Sequence, residues 1–212
     1  MPIELAPFSQ TEYDRRIALT RAAMDKAKVD VIFVTDPSNQ AWLTGYDGWS
    51  FYVHQGVILG MEDQPIWWGR YMDMMGGRRT CWMDLENILG YGDHFIQSTV
   101  YHPMQDLAEK IKVRGYGSAR IGVEMENYYY SAKAHQVFSD ALPDATLVDA
   151  TALVNWPRLI KSDEEISFIR KAARISEKVI QTAIDRSAVG VRKSDLVADI
   201  MHAGITGVDD DW

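Results

Sequence analysis

Apolar residues recur at helical spacing in some stretches of this chain and in short strand-like runs in others, and the two rhythms alternate. Between Thr11 and Lys28, residues Tyr13, Ile17, Ala23, Met24 and Ala27 tend to one face while Arg15, Arg16, Arg21 and Lys26 fall elsewhere, which predicts an amphipathic helix. Val31–Val34 is a β-branched and aromatic run, read as a short buried strand. Asp36-Pro-Ser-Asn39 is turn chemistry, and Asp36 or Ser38 can cap a short helix through Leu43 that Gly45 ends. Val53–Gly60 and Pro65–Gly69 are strand-like, and Met61–Gln64 between them predicts a hairpin. Met72–Arg79 reads as a short helix ended by Gly76 and Gly77, and Phe95–Thr99 as a strand. Pro103–Val113 follows as a helix, Arg120–Glu124 as a strand, Ser131–Leu142 as a helix capped by Ser131, and Thr146–Val148 as a last strand. Helices alternating with strands through residues 11–150 predict a three-layer α/β/α domain around a mixed sheet.

The pattern changes after a proline turn at Asn155–Arg158. Ser162 and Glu165 have the spacing of a capping box. Ile166, Ile169, Ala173, Ser176, Val179, Ile180 and Ala183 then recur near the helical period, and a second helix is expected around Lys193–Ala203. Two helices cannot bury their apolar faces on each other alone, so residues 156–212 are expected to be the incomplete start of a larger unit, and residues 1–155 a domain of their own.

Charge and composition narrow the functional classes. With 22 basic and 30 acidic residues the formal charge is −8, which disfavours a nucleic acid partner. The longest apolar runs are too short to span a bilayer, and the first residues lack the basic and apolar regions of a signal peptide. A single cysteine, Cys81, excludes an internal disulfide framework, and with these features the expected location is the cytoplasm. No zinc-like spacing, nucleotide-binding glycine pattern or nucleophile elbow is present. The scattered histidines at 94, 102, 135 and 202 read as structural or exposed. Asp209–Asp211 is an acidic run to which no metal is assigned.

The aromatic content changes the picture more. Seven Trp and ten Tyr concentrate between Trp42 and Trp82 and again at Tyr128–Tyr130. Rigid amphipathic rings serve cores, interfaces and small-ligand pockets alike. The densest stretch runs from Tyr46 to His54; strand alternation would put Tyr52 and His54 on one face, Phe51 and Val53 on the other. It reads either as packing at a subunit interface or as a loop that closes over a ligand. Arg70, just past a strand end beside Trp67 and Trp68, is either a bidentate clamp for a carboxylate or the partner of Asp73 or a loop carbonyl.

Two sets of residues carry a family resemblance. Arg158-Leu-Ile-Lys161-Ser162, with Glu165, Ile166, Ile169, Arg170 and Ala172, resembles the entry to the "pita-bread" catalytic domain of creatinase, prolidase and aminopeptidase P. Upstream, Tyr13 with Arg16, then Val31–Val34, then Asn39 with Leu43-Thr-Gly-Tyr46, is similar to the amino-terminal domain of the same family. The stretch Trp42–Gln55, with Trp68-Gly-Arg70 and His102-Pro-Met104, is most similar to the ectoine hydrolase branch. The resemblance implies a C–N hydrolase acting on a small zwitterionic substrate, with ectoine leading and an Xaa-Pro peptidase or creatinase relative as the alternative. It also implies a homodimer in which this half covers a neighbour's active site, with Trp49, Phe51, Tyr52, His54 and Arg70 as the substrate-binding residues. The family's catalytic residues lie in the carboxyl-terminal domain, as metal-ligating acids and histidines or as a catalytic histidine without metal. No catalytic residue and no metal ligand is therefore expected within these 212 residues, any divalent metal being held by the other domain, and the chain alone is expected to be inactive or a mere binding or dimerisation module.

Overall fold

The computed structural model describes residues 6–208, and the predicted α/β/α layering is what they form. One compact unit ends at Leu159 and a second begins at Ile160. The first holds a sheet of β1 (Val31–Val34), β2 (Gly56–Gly60), β3 (Ile66–Arg70), β4 (Ile88–Tyr91), β5 (Arg120–Val123) and β6 (Thr146–Asp149), in the order β4-β3-β2-β1-β5-β6. Strand β2 runs antiparallel to β1 and β3, and the other neighbouring pairs are parallel.

Alternate residues of the central strand feed two separate cores, because a strand's side chains point to opposite faces. Ile32 and Val34 pack with Leu59, Trp67 and Met74 beneath α1 (Gln10–Ala27), α2 (Pro37–Thr44) and α3 (Tyr71–Thr80). Val31 and Phe33 pack with Ile58, Trp68, Leu107 and Phe138 beneath α4 (Pro103–Val113) and α5 (Ala132–Ala141). With both faces covered, β1 is buried at every position, which is why its sequence is an unbroken apolar run. Helix starts follow local chemistry: Ser9, Asp36, Ser131 and Ser162 each accept a backbone N–H from the first turn, at the N-cap of the helix that follows.

Several elements depart from the sequence expectation. The segment from Val53 is not yet strand; β2 begins at Gly56, and the residues before it form an irregular loop. Phe95–Thr99 is not a strand, since Asp93–Phe95 is a 3-10 turn and the chain then bends. The strand at that edge is Ile88–Tyr91, paired only with β3, too short and too glycine-interrupted to stand out as a pattern. Helix α3 does not stop at Gly76-Gly77 but runs through them to Thr80. Gly77 is buried against Ile88 and Trp67, with room of only 3.2 Å from a Cβ to the Ile88 side chain, so close packing on the sheet outweighs its poor helix propensity.

Arg16 also departs from its expected place outside the apolar face. It is 1% exposed, donates to Glu12 Oε1 at 2.7 Å and to the Trp42 carbonyl at 3.1 Å, and lies over the Phe8 ring at 3.8 Å. Burial pushes the Glu12 carboxyl up, but its bonds to Arg15 and Arg16 outweigh that and hold it at about 2. A short helix, α6 (Asn155–Arg158), closes the first unit where a proline turn was expected.

The second unit contains α7 (Asp163–Arg186) and α8 (Lys193–Thr206). Ser162 and Glu165 form the expected capping box. Lys178 reaches the Gly207 carbonyl at 2.7 Å and Arg186 lies 3.2 Å from Asp199, so the helices run as a hairpin. Phe168, Ile169, Ile180 and Ile184 of α7 and Met201 and Ile205 of α8 are exposed. Asp209–Asp211 lies outside the described residues.

Candidate functional site

The aromatic segment Tyr46–Gln55 leads into the start of β2, and β2 is antiparallel to its neighbours. It therefore sits at the edge where β1, β3, β4 and β5 end. In open α/β sheets that carboxyl edge is where ligands bind. The end of β3 (Arg70) and the segments that follow β4 (Gly92–His102) and β5 (Glu124–Tyr130) meet it there.

Main-chain and ring contacts hold the loop in place. Tyr91 Oη donates to the His54 carbonyl at 2.7 Å. Trp49 meets Tyr129 edge-on, with centroids 6.2 Å apart, and Phe51 meets Tyr52 in the same way at 5.4 Å. Trp49, Phe51 and Tyr52 nevertheless remain 59%, 78% and 53% exposed, an apolar face that a packed core does not leave open.

Arg70 does hold a carboxylate bidentately, that of Asp93: Nε and Nη2 donate to it at 2.8 and 3.1 Å, while Nη1 donates to Tyr52 Oη at 3.2 Å. The Asp93 bond raises the guanidinium pKa further and lowers that of the Asp93 carboxyl. The ion pair is thus with Asp93 rather than Asp73, whose carboxyl is pushed up by burial.

His54 turns inward. It lines a cavity of about 180 Å³ whose walls include Tyr52, Phe95, Ser98, Tyr101 and His102. The His54 and His102 rings lie 5.1 Å apart. Burial depresses the His54 pKa, with a bond to the Tyr129 backbone opposing it. Burial, then His54 and Lys133, bring His102 down to about 4. His102 Nδ1 accepts the Met104 N–H at 3.2 Å and, with Gln105, completes a capping box at the start of α4. Of the five residues proposed from sequence, the structure joins Tyr52 to Arg70 and sets Trp49, Phe51, Tyr52 and His54 along one loop. It adds Asp93, Ser98 and His102, which a pattern search passes over because each reaches the site from the irregular segment after β4. For His102 the sequence carried two signals, a helix start at Pro103 and the His102-Pro-Met104 stretch of the family resemblance, but neither pointed to a cavity.

A second polar cluster lies on the same edge. Glu124 is 3% exposed and accepts from Thr35 N at 2.6 Å, Asp36 N at 2.7 Å and Asn39 Nδ2 at 2.6 Å. Asn39 Oδ1 in turn accepts from Arg158 Nη1 at 2.5 Å. Burial raises the Glu124 carboxyl pKa against the pull of those donors. Asn39, far from both in sequence, thus links the buried Glu124 to the half-buried Arg158 and joins the sheet edge to α6.

Among the described residues no group of three or more His, Cys, Asp or Glu side chains could hold a metal ion, and no helix is long and apolar enough to cross a membrane. The geometry is that of an exposed aromatic face with a small cavity beside it.

The comparisons agree with this architecture. The Creatinase/Prolidase N-terminal domain family matches residues 16–160, so this chain belongs to that family, a class of α/β domains found in hydrolases. Among individual proteins, the ectoine hydrolase of Halomonas elongata is 48% identical over 202 residues, covering 95% of this chain and 51% of that protein. The creatinase of a Bacillus species (strain B-0618) is 32% identical over 171 residues, covering 80% of this chain and 39% of that protein. The solved Xaa-Pro dipeptidase from Bacillus anthracis superposes with a TM-score of 0.69 at 16% identity, over 92% of this chain and 49% of that one, and so shares the fold. This chain spans about half the length of the ectoine hydrolase it matches.

Proposed function

We propose that this chain is the amino-terminal part of a cytoplasmic hydrolase that cleaves a C–N bond in a small zwitterionic substrate, with ectoine the leading candidate. Residues 1–155 would form the substrate-covering domain and residues 156–212 the first helices of the catalytic one. The observation that carries the reading is the exposed aromatic face of Trp49, Phe51 and Tyr52 at the carboxyl edge of the sheet, in a chain 48% identical to an ectoine hydrolase. Trp49 and Phe51 suit a cyclic amidinium through cation–π attraction, about 0.5–2 kcal/mol depending on desolvation. His54 supports the loop from within, and Arg70 sets the Tyr52 hydroxyl. As the lid of a homodimer this half would cover the active site of a neighbour, and any divalent metal would belong to the other half.

The test is kinetic, in a full-length protein carrying this sequence as its amino-terminal half. Trp49→Ala and Arg70→Lys are expected to raise KM for ectoine with little change in thermal stability, since a lysine cannot reproduce the guanidinium fork. Loss of stability with unaltered kinetics would make these residues packing only. Turnover of Xaa-Pro dipeptides instead of ectoine would move the substrate assignment to the peptidases. The 212-residue chain by itself is expected to show no turnover.

A further inference from the structure

Three polar side chains lining the His54–His102 cavity already accept hydrogen bonds from inside the protein. Tyr52 Oη accepts from Arg70 Nη1 at 3.2 Å. Ser98 Oγ accepts from Val100 N at 3.1 Å and Tyr101 N at 3.0 Å. His102 Nδ1 accepts from Met104 N at 3.2 Å. A neutral imidazole has one lone-pair nitrogen, so the His102 proton must sit on Nε2. Each side chain is thereby left with a proton to give: Tyr52 O–H, Ser98 O–H and His102 Nε2–H. The same tautomer leaves no lone pair on Nε2 for a metal ion while the cap stands.

We propose that this cavity is a carboxylate subsite, formed by the Tyr52, Ser98 and His102 donors. The inference rests on the reading of this half as a substrate-covering domain, and it names which groups take the acidic end of the substrate. Arg70 does not take it directly, because its fork is filled by Asp93. It acts instead as a positioning residue, orienting the Tyr52 hydroxyl. Three neutral donors suit an ionised acceptor, since hydrogen bonds to a charged partner are roughly twice as strong as neutral ones. Lys133, whose charge bears on His102, adds a favourable field. The cavity, at about 180 Å³, has room for the head of a small acid. Phe95 and Ile96 supply apolar wall on the same cavity.

The test is a titration of the 212-residue chain with sodium acetate at constant ionic strength, followed by amide and imidazole ¹⁵N shifts, with acetamide as the uncharged probe. Acetate is expected to give saturable shifts at Ser98 and His102, at least tenfold tighter than acetamide. Tyr52→Phe, which keeps the ring and removes the proton, is expected to weaken acetate about tenfold, the usual loss for one hydrogen bond to a charge. His102→Asp keeps an N-cap for α4 but sets a negative charge in the cavity, and is expected to abolish acetate binding with the Met104 amide shift still that of a capped residue. Absence of saturable shifts at Ser98 and His102, or equal acetate affinity in parent and both variants, would overturn the subsite. Ectoine then separates the two readings. Shifts from ectoine at Trp49 and Phe51 but none in the cavity would keep the lid and end the subsite. A cavity response to acetate with none to ectoine, in a full-length protein carrying this half, would keep the subsite and remove ectoine as the substrate.

Discussion

Replacing His102 by Asn separates the cap of α4 from its proton chemistry. Asparagine caps helices as well as any residue and does not titrate, whereas His102 caps only while neutral. In the folded chain burial, His54 and Lys133 bring the His102 pKa from 6.5 to about 4. The sign follows from linkage: the unfolded imidazole takes up a proton at a pH where the folded one does not, so the contribution is complete above 6.5 and is lost as pH falls towards 4. At pH 5 the unfolded ring is almost fully protonated and the folded ring about nine-tenths neutral, which corresponds to about 2 kcal/mol of lost stability. His102 is only partly buried, so solvent screening reduces the expected loss between pH 7 and pH 5 to ~1 kcal/mol. Urea unfolding followed by tryptophan emission reads it out, because Trp42, Trp67, Trp68 and Trp82 all lie in the first unit. His54 is depressed as well, so both proteins should weaken on acidification, and the difference between them isolates His102. The parent should lose ~1 kcal/mol more than His102→Asn between the two pH values. Parallel losses would refute the reasoning, and a larger loss in the variant would reverse its sign.

Two packing predictions follow from the core. Arg16→Met takes the buried guanidinium away from the Glu12 carboxylate, which keeps its bond to the half-exposed Arg15, and is expected to cost about 3 kcal/mol in chemical denaturation; a change below ~1 kcal/mol would mean the pair is no stronger than a surface one. Gly56→Ala would put a Cβ 2.4 Å from the Phe33 ring and 2.6 Å from the Val34 carbonyl oxygen, where backbone cannot yield. It is expected to cost about 2 kcal/mol or more and lower the Tm by roughly 5 °C, and an unchanged Tm would show that β1 and β2 separate more freely than their register implies.

Most of the architecture was legible because it rests on local chemistry. The run Val31–Val34 is buried on both faces and therefore apolar throughout, and Ser131, Ser162 and Asp36 sit where an exposed helix start needs an acceptor. The motif residues Asn39 and Arg158 were visible too, but not their bond to each other through a network anchored on Glu124. What escaped was set by contacts between distant residues. Helix α3 passes through Gly76-Gly77 because Ile88 and Trp67 hold it down, and β4 is a strand because β3 supplies the ladder. Arg16 carries the composition of a surface residue and is buried only because Glu12, Trp42 and Phe8 satisfy it. At the candidate site the sequence by itself determined a dense aromatic loop next to an arginine. The tertiary structure decided that Asp93 fills that arginine's fork and that Ser98 and His102 face His54 across a cavity. Residue order along a chain carries propensity and periodicity, whereas the partner of a charge or a proton depends on which loops the sheet brings to one edge.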